Sequence, residues 1–220
     1  MKKTAQKNKA ASKKPVRKMN GAKAKTAGRK PASPKKAAPT RRQPPTTTSR
    51  IPAIGAPLRG GFFAGKFLGA DGKAYGLIVA PKAEGETECK FKTDRTADAG
   101  ARSLRDGLAN SNAMNDAAHP AAKFCRDLRI GGFDDWYLPS RHEAALMAET
   151  LMPGADYVPE QTTAAAFKQG GTEALERRGY WTSTEFDSGS AWCQPFGYGG
   201  QNYGVKAWSL RVRAVRKYPL

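Results

Sequence analysis

The sequence predicts a domain of the α+β class that follows a long basic segment. Three observations predict it: an apolar β-hairpin early in the domain, two helices with an apolar face, and a C-terminal region with the two-residue period of strands. This order of elements favours helices and an antiparallel sheet around a shared core. We expect residues 1–50 to form a basic arm, residues 51–59 a linker, and residues 60–220 the folded domain.

The arm is strongly basic and poor in large apolar side chains. Residues 1–50 contain 17 Lys and Arg residues and no Asp or Glu, whereas the whole chain has a net charge of +19. Because this composition cannot bury enough apolar surface to offset the ordering entropy, we expect the arm to be disordered. Lys and Arg release counterions from phosphate backbones, which predicts binding to nucleic acid or to an acidic protein surface. A tail that only improves solubility is the alternative.

Nucleic-acid binding by the arm should be non-specific, because the arm has no aromatic side chain on which bases could stack. As a flexible chain it would have a root-mean-square reach of roughly 40 Å, so it could extend well beyond the domain. The candidate polyanion-binding residues are Lys2, Lys3, Lys7, Lys9, Lys13, Lys14, Arg17, Lys18, Lys23, Lys25, Arg29, Lys30, Lys35, Lys36, Arg41 and Arg42.

The sequence contains no recognisable export signal or membrane span. The basic start is not followed by the apolar run of about 7 to 15 residues that a signal peptide requires. Prolines from Pro15 to Pro45 interrupt the helix that a mitochondrial transit peptide would form. No apolar run approaches the length of about 18 residues that is typical of a transmembrane helix. We therefore expect the protein in a virion or in the cytoplasm.

The three cysteines, Cys89, Cys125 and Cys193, form no CxxC pair, and neither histidine lies near them in sequence. Without an export signal we expect reduced and mostly buried thiols. A disulfide between Cys125 and Cys193 is the main alternative. We predict no metal site and no cofactor.

Two apolar strands begin the domain. Phe62–Leu68 and Ala74–Ala80 are separated by the turn Gly69–Gly72, whose Asp-Gly pair is a hairpin signal. We therefore expect a β-hairpin at this point. The polar segment that follows should be irregular, with Cys89 and Phe91 as its anchors to the core.

Two helices are predicted in the middle of the domain. The first begins at Ala117 or Pro120 and ends near Leu128. The second begins after Ser140, whose spacing to Glu143 is that of a capping box. Its apolar residues recur at helical spacing until about residue 151.

The C-terminal region changes to strand periodicity after a long connection that contains a short helix near Thr172–Arg177. The predicted strands are Tyr180–Phe186, Ala191–Phe196, Val205–Leu210 and Arg211–Arg216, with a loop at Gly197–Asn202. In the last strand apolar residues alternate with Arg211 and Arg213. This alternation predicts that the two arginines face away from the core.

Three sequence motifs occur in a fixed order in the domain. They are GGFDDWYLPSRHE from Gly131, YWTSTE from Tyr180 with the following AWCQPF, and LRVRAVRK from Leu210. Together they resemble the Lcl C-terminal domain family, a domain of unknown function found in bacterial surface proteins and commonly in tailed phages. The resemblance covers about residues 60–217 and implies a C-type-lectin-like fold, related to domains of the formylglycine-generating-enzyme type.

The resemblance implies no uniform chemistry. Calcium-dependent lectins of this fold use Glu-Pro-Asn or Gln-Pro-Asp followed by Trp-Asn-Asp, whereas this chain has Gln194-Pro195-Phe196 and no Trp-Asn-Asp. Formylglycine-generating relatives require a dedicated cysteine pair or metal ligands, which no residues here match. We therefore expect neither calcium-dependent sugar binding nor catalysis. His142, which has no partner nucleophile in sequence, is expected to be a surface or capping residue.

In this fold the ligand surface usually lies in the irregular region near the C-terminal strands. Here that region is rich in aromatic and amide side chains, which suit recognition of a carbohydrate or a protein surface. The candidate residues are Trp192, Gln194, Phe196, Tyr198, Gln201, Asn202, Tyr203, Lys206 and Trp208. Trp192 and Phe196 share strand parity, so a place in the core is the alternative for both.

Three functional hypotheses follow. The first is a phage virion-associated or phage-derived structural protein, whose domain binds a host surface carbohydrate or a virion protein and whose arm contacts nucleic acid or an acidic partner. The second is a cytoplasmic protein that binds nucleic acid non-specifically through the arm. The third is an enzyme of the formylglycine-generating type, with Cys125 and Cys193 as its redox pair.

Overall fold

Two β-sheets and four helices form the described part of the chain. The computed structural model describes residues 51–154 and 161–220, which belong to one compact unit. The strands are β1 (Pro57–Leu58), β2 (Gly61–Leu68), β3 (Ala74–Val79), β4 (Glu86–Lys90), β5 (Gly179–Glu185), β6 (Ser190–Pro195), β7 (Asn202–Val205), β8 (Ser209–Arg213) and β9 (Val215–Pro219). The helices are α1 (Lys82–Gly85), α2 (Gly107–Ala113), α3 (Pro120–Asp127) and α4 (Arg141–Leu151). The α+β class is therefore confirmed.

The first sheet has four strands in the order β1-β2-β3-β9. The predicted hairpin is confirmed as β2 and β3, which pair antiparallel from Phe62 and Val79 to Leu68 and Ala74. The final strand β9 pairs with β3, so the start and the end of the domain lie side by side. The segment expected to be a linker, residues 51–59, contains β1, which pairs with β2.

The second sheet has five strands in the order β4-β8-β5-β6-β7. Its edge strand β4 lies in the segment that was expected to be irregular, because the sequence Glu-Thr-Glu-Cys-Lys has few apolar residues. After β6 the chain forms three strands, β7, β8 and β9, where two were predicted. The turn between β7 and β8, closed by a 2.9 Å hydrogen bond from Trp208 N to Val205 O, contains neither Gly nor Pro. It therefore lacks the usual sequence signal of a turn.

Helix α4 begins with the predicted capping box. The Ser140 hydroxyl accepts a hydrogen bond of 3.3 Å from Glu143 N, and the Glu143 carboxylate accepts one of 2.7 Å from Ser140 N. Helix α3 is also confirmed, with Pro120 in its first turn. Helix α2 was not among the predicted helices, because Gly107 and Asn110 are poor helix formers. Asn110 is buried there and donates to Ser103 O over 2.8 Å.

The helix predicted near Thr172–Arg177 is wrong. The only helical turn in the described part of this connection is a 3₁₀ turn at Ala165–Phe167. Glu173 and Glu176 instead project their carboxylates to β8, where they bind Arg213 and Arg211. These ion pairs hold the connection in an irregular conformation against the sheet.

The consecutive aromatic residues Trp136 and Tyr137, in the middle of the first motif, enter two different core clusters. Trp136 packs in a cluster with Phe63 and Trp181, whereas Tyr137 packs in a second cluster with Tyr180. Adjacent residues of an extended chain point in opposite directions, which explains this division. Tyr137 N also donates to Val215 O over 2.8 Å, so the motif is tied to the strand that joins the first sheet.

Arg213 corrects the prediction that both arginines of the last strand face away from the core. Its side chain is fully buried, with Nε donating to Ala80 O at 2.7 Å and Nη1 to Glu86 at 2.8 Å. Nη2 donates to Glu173 at 2.8 Å. Burial of this guanidinium is tolerated because two carboxylates and a carbonyl satisfy it. Arg211 is partly exposed, closer to the prediction.

All three cysteines are free thiols, so the alternative of a Cys125–Cys193 disulfide is wrong. Cys125 is fully buried, and burial raises the pKa of its thiol well above the ordinary value. Burial also raises the pKa of Cys89 and of Cys193 to about 11. Within residues 51–154 and 161–220, no helix has the length and apolar character needed to cross a membrane.

Candidate ligand-binding surface

The exposed large aromatic side chains of the described residues all lie within one stretch of the chain. Phe186, Tyr198, Tyr203 and Trp208 are 43%, 48%, 51% and 58% exposed. They come from the residue directly after β5, the loop after β6, strand β7, and the turn before β8. Three of them were predicted as site residues, whereas Phe186 was assigned only to a strand.

One group of these aromatics, which we name the aromatic cluster, consists of Phe186, Trp192 and Tyr203. Phe186 and Tyr203 stack with ring centroids 4.2 Å apart, and Phe186 meets Trp192 edge to face at 5.0 Å. Trp192 and Tyr203 lie opposite each other in the pairing of β6 with β7. The Arg141 guanidinium covers the Trp192 ring at 3.8 Å from its centroid. The predicted residue Trp192 is therefore only partly buried.

A second group lines a cleft of about 290 Å³, which we name the Trp208 cleft. Cys193 and Asn202 are paired in the sheet and belong to the opposite face from Trp192 and Tyr203. The cleft is lined by both of these residues, with Tyr198, Trp208 and Leu210. Asn202 Nδ2 donates to the Tyr198 hydroxyl over 3.3 Å, which fixes one wall.

The prediction that Gln194 and Phe196 belong to the ligand surface is wrong, because both side chains are buried. The Gln194 amide nitrogen lies 3.1 Å from Gly200 O and 3.4 Å from Gly199 O, so it supports the loop after β6. Phe196 packs edge to face on Tyr180 in the core. Neither side chain is accessible to a ligand. The strand pattern could have placed Phe196 in the core, as the parity alternative proposed.

Lys206 is also wrong as a surface residue, because its side chain is 0% exposed. Its ammonium donates to Thr96 O at 2.8 Å, to Asp98 Oδ2 at 2.8 Å and to Glu185 Oε1 at 2.9 Å. Lys92 donates to the other oxygen of Asp98 at 2.6 Å. This buried ion network joins the loop before α2 to the turn between β7 and β8. The buried hydrogen bonds of Lys206 therefore hold in place the turn between β7 and β8, which also contains Trp208.

The charge of Asp98 is maintained by its partners. Burial by itself opposes its ionisation, but hydrogen bonds from Lys206, Lys92 and His119 outweigh this effect and lower its pKa to about 2. His119 Nε2 lies 2.9 Å from Asp98, and its Nδ1 lies 2.7 Å from Asp116. His119 is therefore a buried structural residue. No group of three or more His, Cys, Asp or Glu residues in the described segments is placed to hold a metal ion.

A small cavity of about 180 Å³, which we name the Arg141 pocket, lies beside the aromatic cluster. It is lined by Leu104, Arg105, Arg141, His142, Ala145 and Gln201. Arg141 Nε donates to Gln201 Oε1 at 2.6 Å, and Gln201 Nε2 donates back to Arg141 O at 2.8 Å. Gln201 was a predicted site residue. Arg141 was missed, although its position directly after the helix cap is a signal for partial exposure.

His142 is exposed at the first turn of α4, as predicted. Its backbone N–H donates to Leu104 O over 2.9 Å. Partial desolvation and the nearby Arg105 guanidinium lower the pKa of its imidazole below the ordinary value. The ring is therefore largely neutral at pH 7. The polyanion-binding residues predicted in the arm, Lys2 to Arg42, lie outside the described residues.

Comparisons with known proteins give one family match. The sequence profile of the Lcl C-terminal domain matches residues 84–216. No curated protein matches the chain. Among solved structures, the crystal structure of a fimbrial protein from Bacteroides ovatus matches with 15% sequence identity and a TM-score of 0.42. The match covers 66% of this chain and 36% of that protein, so the chain spans little more than a third of its length.

Proposed function

The chain belongs to the Lcl C-terminal domain family, and from this premise we propose that it is a non-enzymatic recognition protein associated with a phage virion or derived from one. In this proposal the folded domain is C-type-lectin-like and binds a surface carbohydrate or a virion protein. The basic arm contacts nucleic acid or an acidic partner. The family resemblance and the mixed arrangement of two sheets with few helices support the fold.

The observation that carries the recognition role is the concentration of exposed aromatics between Phe186 and Trp208. Large aromatic side chains are usually buried, and contiguous exposed ones often mark interaction sites. Here Tyr203 lies on a paired strand and Trp208 on a turn supported by the buried Lys206. A rigid aromatic surface loses little conformational entropy on binding, which favours recognition of a carbohydrate or a protein.

Binding should not require calcium. In the string Gln194-Pro195-Phe196, the amide supports a loop and the aromatic ring packs in the core. Addition of a chelator such as EDTA should therefore leave ligand affinity unchanged. A marked loss of affinity with EDTA, restored by Ca²⁺, would contradict this part of the proposal.

Virion association is tested by mass spectrometry of purified particles from the source phage or induced lysogen, together with the gene neighbourhood. We expect the protein in the particles and its gene among capsid or tail genes. Absence from the particles, with a gene far from such genes, would contradict the virion role and favour the cytoplasmic alternative. The second candidate function is that cytoplasmic alternative, in which the arm binds nucleic acid; the charge of +17 within residues 1–50 supports it.

The role of the arm is tested with duplex DNA at increasing salt, comparing the full chain with a version that begins at Ile51. The remaining residues belong to the compact unit Thr48–Leu220, and circular dichroism checks that they fold. We expect affinity to fall steeply with salt for the full chain, because counterions are released on binding. We expect little binding by the shortened chain. Equal binding by both chains would contradict a role of the arm.

The properties of the Cys125 and Cys193 thiols argue against an enzyme of the formylglycine-generating type. A redox pair needs an accessible thiolate, whereas burial raises the pKa of both Cys125 and Cys193. Replacement of both cysteines by Ser should leave ligand binding unchanged. Loss of a measurable turnover on this replacement would instead favour the enzyme.

A further inference from the structure

The Arg141 side chain is fixed in position, but other described residues satisfy only part of its hydrogen-bonding capacity. Its Nε donates to Gln201, and its guanidinium plane rests on the Trp192 ring at 3.8 Å. Neither Nη nitrogen of Arg141 has a hydrogen-bond acceptor among residues 51–154 and 161–220. A guanidinium held flat on a ring and by one hydrogen bond has lost much of its freedom before any ligand arrives. It is therefore preorganised for a bidentate acceptor.

The two arginines that line the Arg141 pocket form no ion pair with a carboxylate in the described part of the chain, and the effect of Glu149 on the pKa of the lining residue His142 is outweighed by burial and by Arg105. Arg105 and Arg141 both line the cavity. The first two backbone amides of helix α4 are not free to bind an anion. Arg141 N donates to Thr184 Oγ1, and His142 N donates to Leu104 O. The two guanidinium groups are therefore the groups that attract an anion.

The size and the walls of the pocket favour a carboxylate on a short aliphatic stem. A volume of about 180 Å³ accommodates one side-chain head group, and Leu104 and Ala145 offer apolar contacts to methylene groups. The planar fork of Arg matches the two oxygens of a carboxylate. An Asp or Glu side chain combines both features.

The surroundings favour a protein over a nucleic acid as the source of the carboxylate. Leu104 is 50% exposed at the pocket, and the aromatic cluster adjoins it through Arg141. Arg, Trp and Tyr are the residues that most often dominate protein–protein affinity. Binding of a phosphodiester chain would instead require a row of cations. The residue beside the cluster is acidic, because Asp187 directly follows Phe186.

We propose that the Arg141 pocket receives an Asp or Glu side chain of a protein partner, whose neighbouring apolar residues cover Leu104 and the aromatic cluster. This inference rests on the proposed recognition function and names the chemistry of its partner. Arg141 and Arg105 bind the carboxylate, and Gln201 and Trp192 hold Arg141 in place. The partner surface is acidic and apolar.

The experiment is an NMR titration of the ¹⁵N-labelled full chain with N-acetyl-glutamate N-methylamide. The isosteric neutral probe is N-acetyl-glutamine N-methylamide. We expect saturable shifts of the Arg141 Nε–H and of the His142 and Ala145 amides by about 50 mM, a range that detects millimolar dissociation constants. The neutral probe should shift these N–H signals at least about tenfold less, because it lacks the negative charge that the arginine guanidinium binds. Equal shifts with both probes, or none, would overturn the proposal.

Variants and two further probes test the assignment. Arg141→Gln should abolish the response, and Arg105→Gln, at an exposed position, should weaken it without affecting folding. Arg129→Gln, an exposed arginine elsewhere, is the matched control and should respond as the wild type. Stronger pocket shifts with a ten-residue oligothymidylate or with inorganic phosphate would overturn the assignment to a protein carboxylate.

The outcomes for this pocket and for the proposed function can be separated. Trp208→Ala should leave the response to the glutamate probe unchanged, because Trp208 does not line the Arg141 pocket. A normal carboxylate response with no effect of Trp208→Ala on ligand recognition would count against the wider aromatic surface. Loss of recognition in Trp208→Ala with no carboxylate response would overturn only the pocket.

Discussion

Lys206 and Asp98 form a 2.8 Å ion pair in the interior, with both side chains almost completely buried. Glu185 lies 2.9 Å from the same ammonium. Removal of the ammonium would take one of the cationic partners of Asp98 away and would leave the buried Glu185 without its buried cation. We predict that Lys206→Met lowers the free energy of unfolding by about 3 to 5 kcal/mol, as measured by urea denaturation. Lys73→Met, at a largely exposed lysine, is the control and should cause no measurable change. Equal stability of Lys206→Met and wild type would contradict the network.

Asp98 predicts how stability depends on pH. Its folded-state pKa of about 2 lies below the ordinary value of 3.8. Its contribution is therefore present above about pH 4 and is lost as the pH falls through 2. We predict that the stability difference between wild type and Asp98→Asn, measured by urea denaturation, decreases between pH 5 and pH 2.5. A difference that stays constant or grows over this range would show that Asp98 is not ionised in the fold.

The capping box of α4 predicts a moderate loss of stability on substitution. In Ser140→Ala, the acceptor for Glu143 N disappears while the backbone N–H of residue 140 can still donate to Glu143. We predict a loss of about 1 kcal/mol in the free energy of unfolding, within the range of about 0.5 to 2 for N-cap residues. Ser188→Ala, at an exposed serine, is the matched control. A change no larger than that of the control would mean that the cap contributes nothing.

The thiols predict slow modification in the folded protein. Cys125 is fully buried, and burial raises the pKa of Cys89 and Cys193 to about 11. With Ellman's reagent at pH 7.5 we expect slow reaction of the native chain, since the thiolate is the reactive form. All three thiols should react once urea is added. Detection of only one thiol under denaturing, non-reducing conditions would show a disulfide and contradict the structure.

The sequence predicted those elements whose signals are local. The Asp-Gly turn predicted the first hairpin, and the spacing of Ser140 and Glu143 predicted the start of α4, because both features involve residues a few positions apart. Strand β4 and helix α2 were missed because their own residues favour other conformations. Their conformations depend on partners elsewhere, such as β8 for β4.

The candidate site was predicted only in part for the same reason. Tyr198, Tyr203 and Trp208 are exposed, as expected of a ligand surface. Lys206 was predicted on this surface with its aromatic and amide neighbours, but its buried partner Asp98 lies 108 positions earlier. Arg141 was missed because its value as an anion receptor depends on Gln201, 60 positions later, and on Trp192. Such pairings across the chain have no local sequence signal.

In the function we propose, the domain recognises its partner through the exposed aromatics between Phe186 and Trp208. The most direct measurement is the affinity of the full chain for immobilised host-surface polysaccharides and virion proteins, by surface plasmon resonance. Wild type is compared with Tyr203→Ala and Trp208→Ala, with Leu68→Ala as an exposed control on the other sheet. We predict that the ligand bound by wild type binds at least about tenfold more weakly to one aromatic variant, as for hot-spot residues. Unchanged affinity of both aromatic variants for every bound ligand would contradict the claim.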